Sequence, residues 1–284
     1  MYYSYDERQQ KLVDVFTDTK KFYNEKTLRD KVEISIENTC VYDDTYYPTL
    51  DGDINRNCII ETNMMRTFEA AIYSHKQYYN AKIGVLNFAS ATNPGGGVTK
   101  GSSAQEEALC RCSTLYPTLD QPKIYDQFYN INRNMKDCIH TDRLIYSPDI
   151  LIIKSDESFP KRLDSKNFIS VDVISCAAPN LRTNRNSYAD TDTGKPITLT
   201  DKELYDIHFN RAKHIMHIFS YRKVDIVILG AFGCGAFKND PKVVANAWND
   251  AIKDYKRYFM KIIFAIYCSS RDIVNFNTFK TIIK

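Results

Sequence analysis

Strand-length runs that are apolar or alternate apolar with polar recur at 32–38 (VEISIEN), 81–89 (AKIGVLNFA), 150–154, 168–177 (FISVDVISCA), 224–230 (VDIVILG) and 261–267 (KIIFAIY). Runs rich in β-branched residues and bounded by glycine or polar residues predict strands. Apolar residues at helical spacing predict helices over 6–23, 67–79, 103–115, 201–222, 240–258 and 272–283. The helix over 240–258 opens on Asn239-Asp240-Pro241, an N-cap followed by proline in the first turn. Strands alternating with helices specify an α/β fold, with helices on both faces of a mixed, largely parallel sheet. A run such as VDIVILG has no polar face, as expected of a strand covered on both sides. Segments 116–147 and 181–200 are polar, rich in Asn and Asp, and read as long loops. The organisation expected is one domain over 31–284, preceded by a helical extension over 1–30 that packs on it.

Charge and composition narrow the function. The 284 residues carry 38 Lys+Arg against 35 Asp+Glu, a net charge of +3. That balance argues against the concentrated basic face of a dedicated nucleic-acid binder, so no sequence-specific nucleic acid is expected as a partner. No run reaches the ~18 apolar residues of a membrane span, so no membrane partner is expected either. The opening MYYSYDERQQ lacks the pattern of a signal peptide. Eight cysteines without framework spacing read as reduced thiols. The expected location is therefore cytoplasmic, or also nuclear in a eukaryotic or viral setting.

Six of the ten glycines fall in two clusters, Gly95, Gly96 and Gly97, then Gly230, Gly233 and Gly235. Each cluster follows a predicted strand and precedes a predicted helix. Glycine lets a backbone approach a ligand closely, and backbone N–H groups near a helix N-terminus suit a diphosphate or a ribose hydroxyl. On glycines alone, a plain turn is an equal reading of the first cluster. Neither cluster has the spacing of a dinucleotide fingerprint or of a P-loop. Two such loops in one α/β chain favour the ligand, because ligands bind at the carboxyl ends of strands in these sheets. Gln105, Glu106 and Glu107 follow the first cluster. Acidic residues suit any first helical turn. Beside a sugar-binding loop, one of them could also protonate a glycosidic oxygen while its neighbour holds sugar hydroxyls.

The run LNFASATNPGGGVTKGSSAQEEALCRCSTLYPTL resembles the signature of the bacterial-type poly(ADP-ribose) glycohydrolases of the macrodomain superfamily, in which three glycines, a short spacer and Gln-Glu-Glu follow in order. The spacer here is 98–104. IYSPDILI, VDVISCAAPN, LGAFGCGAFKNDP and IIFAIY are similar to further family blocks in the expected order, and VEISIENT resembles the opening strand, so the likeness spans roughly 6–267. It implies a three-layer α/β/α macrodomain-like sandwich and an enzyme that hydrolyses ribose–ribose bonds of poly(ADP-ribose), mainly from the free end, with no cofactor and no metal. The alternatives are a hydrolase of single ADP-ribose units and a non-catalytic ADP-ribose reader. The implied partners are poly(ADP-ribose), ADP-ribose and poly(ADP-ribosyl)ated proteins. Glu107 matches the catalytic acid. Glu106 matches the residue that holds the distal ribose, with Gln105 in support. Gly95, Gly96, Gly97 and Val98 match the loop around that ribose and the pyrophosphate, and Asn93 is placed beside it. Gly233, Cys234, Gly235, Ala236 and Phe237 match the diphosphate loop, with Phe237 on the ribose side. Phe232 and Ala236 stand where many relatives have Trp and Val, and the Asn-rich stretch 181–188 leaves the adenine contacts open.

Other residues carry weaker signals. His208, His214 and His217 share one predicted helix but lack an acidic or Cys partner at ligand spacing, so a metal pair is disfavoured. Cys110 and Cys112 point to different helix faces. Cys234 has no His nearby in sequence to activate it. Tyr78, Tyr79, Tyr125 and Tyr129 would serve equally as core or as a base-stacking surface.

Overall fold

The computed structural model describes residues 4–52, 54–182, 197–268 and 273–284. Two helices open it, α1 (Tyr5–Tyr23) and α2 (Lys26–Asn38), followed by β1 (Cys40–Tyr42), β2 (Ile59–Asn63), α3 (Thr67–Gln77) and β3 (Ile83–Phe88). Then come α4 (Gln105–Cys112), α5 (Leu115–Leu119), α6 (Pro122–Ile124), a π-helical turn at Tyr125–Tyr129 and α7 (Asn130–Arg133). The chain continues through β4 (Leu144–Ile152), β5 (Ile169–Cys176), α8 (Asp201–Tyr221), β6 (Ile226–Leu229), α9 (Pro241–Tyr255), β7 (Lys261–Ala265) and α10 (Val274–Ile282).

The strands form one seven-stranded sheet in the order β1-β4-β5-β3-β6-β7-β2. From β5 to the β2 edge every pair is parallel, and the β1–β4 and β4–β5 pairs are antiparallel. The sheet is thus mixed and largely parallel, as expected. Side-chain alternation builds the three layers. Leu86, Val227, Leu229, Ile262 and Phe264 pack with α8, α9 and α10, while Val85, Ile226, Ile228 and Ile263 pack with Phe16 of α1, α3 and α4. Both faces are covered, which is why these strands read as unbroken apolar runs. Gly84 admits α8: a Cβ there would lie 2.5 Å from the Phe219 ring.

Three sequence expectations need correction. Residues 32–38 form the second half of α2, so VEISIENT is not the opening strand. Leu28, Val32 and Ser35 lie on one helical face and are buried against β4, while Ile34 is 52% exposed. The period-2 run is equally a period-3.6 run once that face is fixed. The opening strand is instead the short β1, and the half-exposed β2 edge was not expected either. Finally, 116–147 is no long loop: it holds α5, α6, the π turn, α7 and the first residues of β4. Of the loop 181–200, residues 183–196 lie outside the described residues. The residue-30 boundary falls inside α2.

Candidate active site

The parallel strands deliver their carboxyl ends to one edge of the sheet, and a cavity of about 430 Å³ opens there. Its wall is made by the segment after β3, the start of α4, the loop after β6 and the residues just past β7. That volume is ordinary for a small-molecule site.

Gln105 joins β3 to the acidic pair. Its Oε1 accepts the Phe88 N–H at 2.8 Å, and its Nε2 donates to the Leu86 carbonyl at 2.8 Å and to Thr67 Oγ1 at 3.2 Å. The side chain thus continues the hydrogen bonding of β3 where the strand ends, and it fixes where α4 begins. Glu106 and Glu107 follow in the first turn of α4, 3% and 7% exposed. Their surroundings differ. Glu106 Oε2 accepts the Ser90 N–H at 2.7 Å, and its Oε1 accepts the Asn87 amide at 3.3 Å. Both of its oxygens are therefore engaged. Burial pushes its carboxyl well above the usual range, and the Glu107 charge beside it acts the same way. Glu107 Oε1 accepts the Gly97 N–H at 2.9 Å, whereas its Oε2 is buried with no partner among the described residues.

The first glycine loop is shaped around these carboxylates. Gly96 has φ +56°, and a Cβ on it would lie 2.6 Å from Glu107 Oε1 and 3.1 Å from Glu106 Oε2. Only glycine combines that backbone with that contact. The second loop, 230–239, is pinned by Asn239, whose amide donates to the carbonyls of Pro179 (2.7 Å), Gly233 (3.1 Å) and Phe237 (3.2 Å). Asn239 Oδ1 is held in turn by His208 Nε2 at 2.8 Å. Burial drives the His208 pKa down to about 4, so the ring is neutral. His214 meets the carbonyls of Asp142 and Tyr46, and His217 that of Pro48. The three histidines of α8 are thus fasteners of loops. Among the described residues no His/Cys/Asp/Glu group is placed to hold a metal ion.

A scan against family models matches 10–155, just over half of the chain, to the catalytic domain of microbial-type poly(ADP-ribose) glycohydrolase. The chain belongs to that family. Among solved structures, the glycohydrolase from Thermomonospora curvata bound to the inhibitor ADP-HPD is 25% identical, with a TM-score of 0.76 over 96% of this chain and 97% of that one. The glycohydrolase from Deinococcus radiodurans in complex with ADP-ribose is 27% identical, with a TM-score of 0.74 over 89% and 97%. No curated protein matches the chain.

Of the glycohydrolase-type residues inferred from sequence, Gln105, Glu106, Glu107, Gly96, Gly97, Gly233, Gly235, Ala236 and Phe237 line the cavity. Four others do not. Asn93 Oδ1 accepts from Arg133 at 3.1 Å. Gly95 faces Tyr116 and Cys110, where a Cβ would lie 2.8 Å from the Tyr116 ring. Val98 is fully buried in the core beneath the loop. Cys234 points inward, its Sγ 3.6 Å from the Phe232 carbonyl, and burial raises its thiol pKa, so it is no thiolate nucleophile. None of Tyr78, Tyr79, Tyr125 and Tyr129 lines the cavity.

Sequence reasoning missed several lining residues. Arg66, Tyr267 and Asp156 come from three distant segments. The Arg66 guanidinium stacks 3.8 Å from the centre of the Tyr267 ring. Asp156 accepts the Phe68 N–H at 2.9 Å, and burial raises its carboxyl pKa. No motif marks these positions: Arg66 and Tyr267 follow the carboxyl ends of β2 and β7, and Asp156, past the antiparallel β4, is tied in by the Phe68 N–H at the start of α3.

Proposed function

We propose that the protein is a poly(ADP-ribose) glycohydrolase whose acid and base is Glu107. Family membership carries the activity: the chain hydrolyses poly(ADP-ribose) at ribose–ribose bonds. One observation carries the division of labour between the two glutamates. Glu106 has both oxygens engaged, whereas Glu107 has one oxygen held by the Gly97 N–H and the other without a partner among the described residues. A general acid needs a free oxygen within reach of the leaving group.

In this reading the proton sits on Glu107 Oε2 and passes to the leaving 2′-oxygen as the glycosidic bond breaks. Positive charge develops at the anomeric carbon, and the paired carboxyls lower its energy. Glu107, now a carboxylate, takes a proton from water as the water oxygen bonds that carbon. The products are ADP-ribose and a polymer shortened by one unit, and Glu107 ends protonated. Glu106, fixed by Ser90 and Asn87, orients the distal ribose. The 230–239 loop offers backbone N–H groups to the diphosphate, with Phe237 against the ribose. The mode proposed is attack mainly from the free end of the polymer. The eight cysteines form no disulfide, which supports a reducing compartment such as the cytoplasm.

The test is digestion of purified poly(ADP-ribose) with chromatography of the products, for wild type and Glu107→Gln. The variant should lose about 10³-fold in kcat, in the range for a general acid, while calorimetric affinity for ADP-ribose stays within threefold. Equal release by both proteins would transfer the acid role away from Glu107. Binding without release by wild type would make the chain a reader, or a hydrolase of single units on a mono-ADP-ribosylated protein.

A further inference from the structure

The helix that carries the two glutamates also carries a buried cation that the mechanism above does not use. Arg111 lies one turn beyond Glu107, on the same face of α4, and is 2% exposed. Its Nη1 donates to the Ser102 carbonyl at 2.6 Å. The Ser102 N–H donates to the Gly97 carbonyl at 3.1 Å. The Gly97 N–H donates to Glu107 Oε1 at 2.9 Å. These contacts close a ring that leaves the helix at Glu107, crosses the glycine loop and returns at Arg111. The arc between its ends is 97–102, which contains two glycines and a single 3₁₀ turn at Val98–Lys100. Its own backbone bonds, from the Lys100 N–H to the Gly97 carbonyl and from the Gly101 N–H to the Val98 carbonyl, make it move as a unit, so a hold on Ser102 is carried to Gly97. Behind it, Thr19 of α1 accepts no part of this load. Its hydroxyl donates to the Arg111 carbonyl at 2.6 Å and so holds the backbone of the helix, not the guanidinium.

We propose that Arg111 is a positioning residue for Glu107. By holding Ser102 it keeps the Gly97 N–H on Oε1, and this leaves Oε2 as the oxygen that meets the substrate. The inference rests on the acid/base reading of Glu107. Arg111 lines none of the cavity, so it acts on the carboxyl and not on the ligand.

The experiment compares wild type, Arg111→Met and Arg111→Lys. Methionine keeps an apolar stem of similar length without donors, so the buried site stays filled. Initial rates on poly(ADP-ribose), calorimetric Kd for ADP-ribose and hydrogen exchange at the Gly97 amide are measured on each. Arg111→Met should lower kcat by about 30- to 100-fold, leave Kd within threefold and speed Gly97 exchange at least tenfold, because a general acid shifted by a fraction of an ångström loses rate without losing binding. Arg111→Lys keeps one donor and the charge, so its kcat should fall between the two, roughly three- to tenfold below wild type. A general packing role would instead lower kcat and ADP-ribose affinity together, with Gly97 exchange unchanged, and would overturn the assignment. Wild-type kcat in Arg111→Met would overturn it as well. If Arg111→Met does not fold, Arg111→Lys decides: wild-type kcat and wild-type Gly97 exchange sink the proposal. Absence of ADP-ribose release by wild type is a separate outcome, which removes the glycohydrolase reading and the assignment with it.

Discussion

The contact between Gly96 and the acidic pair can be tested by adding one methyl group. In Gly96→Ala the new Cβ would start 2.6 Å from Glu107 Oε1 and 3.1 Å from Glu106 Oε2, at φ +56°. Ordinary contact begins near 3.4 Å. The Glu107 oxygen, the end of a side chain that borders the cavity, is the part that can yield, and it must retreat by roughly 0.8 Å. A retreat of that size directed away from Gly97 carries the 2.9 Å bond past hydrogen-bonding range. A misplacement on the order of 1 Å at a reacting group costs about 10²-fold in rate. The left-handed backbone adds about 1–2 kcal/mol of destabilisation for alanine. The assay is kcat for ADP-ribose release alongside a thermal melt. Gly52→Ala is the control, because a Cβ at Gly52 meets nothing within 4 Å among the described residues. The expected result is a rate lowered by about 30- to 100-fold and a melting temperature lowered by roughly 2–6 °C. Gly96→Ala that loses stability yet keeps the wild-type rate would refute the reasoning, because the carboxyl would then not be held against the loop.

Two further outcomes follow from the supports of the site. The His208 pKa is depressed to about 4 from an ordinary 6.5, so below pH 6.5 the unfolded chain binds a proton that the folded chain refuses. His208 therefore contributes stability above pH 6.5 that is lost as pH falls towards 4, by about 3 kcal/mol in all; urea melts of wild type and His208→Gln between pH 4 and 7 should converge at the acid end, and parallel curves would contradict it. Gly101 has φ +76°, and a Cβ there would lie 2.5 Å from the Gln9 carbonyl oxygen of α1. Gly101→Ala should cost about 2–4 kcal/mol in a denaturant melt, the sum of backbone strain and overpacking, and an unchanged midpoint would mean that α1 is not seated on the loop.

Much of this was legible in the chain itself. The strands β3, β6 and β7 are mostly apolar and β5 is rich in Ile and Val, because both faces of the sheet are covered. Gly96 and Gly97 followed by Gln105, Glu106 and Glu107 form a contiguous motif, and contiguous motifs survive folding as local geometry. Period alone was insufficient for α2: VEISIEN alternates, but Leu28, Val32 and Ser35 meet β4 only along a helix, and β4 lies more than a hundred residues away. The short β1 and the half-exposed β2 owe their existence to partners, since neither holds enough apolar pattern to announce itself. The glutamates make the same point at the level of chemistry. Glu106 and Glu107 are identical side chains at adjacent positions, and nothing local separates them except the family likeness. Tertiary structure brings Ser90 and Asn87 to one and the Gly97 N–H to the other, leaving a single oxygen unclaimed. Hydrogen bonds are short-ranged and directional, so which carboxyl is left free depends on groups that only the closed fold sets within 3 Å.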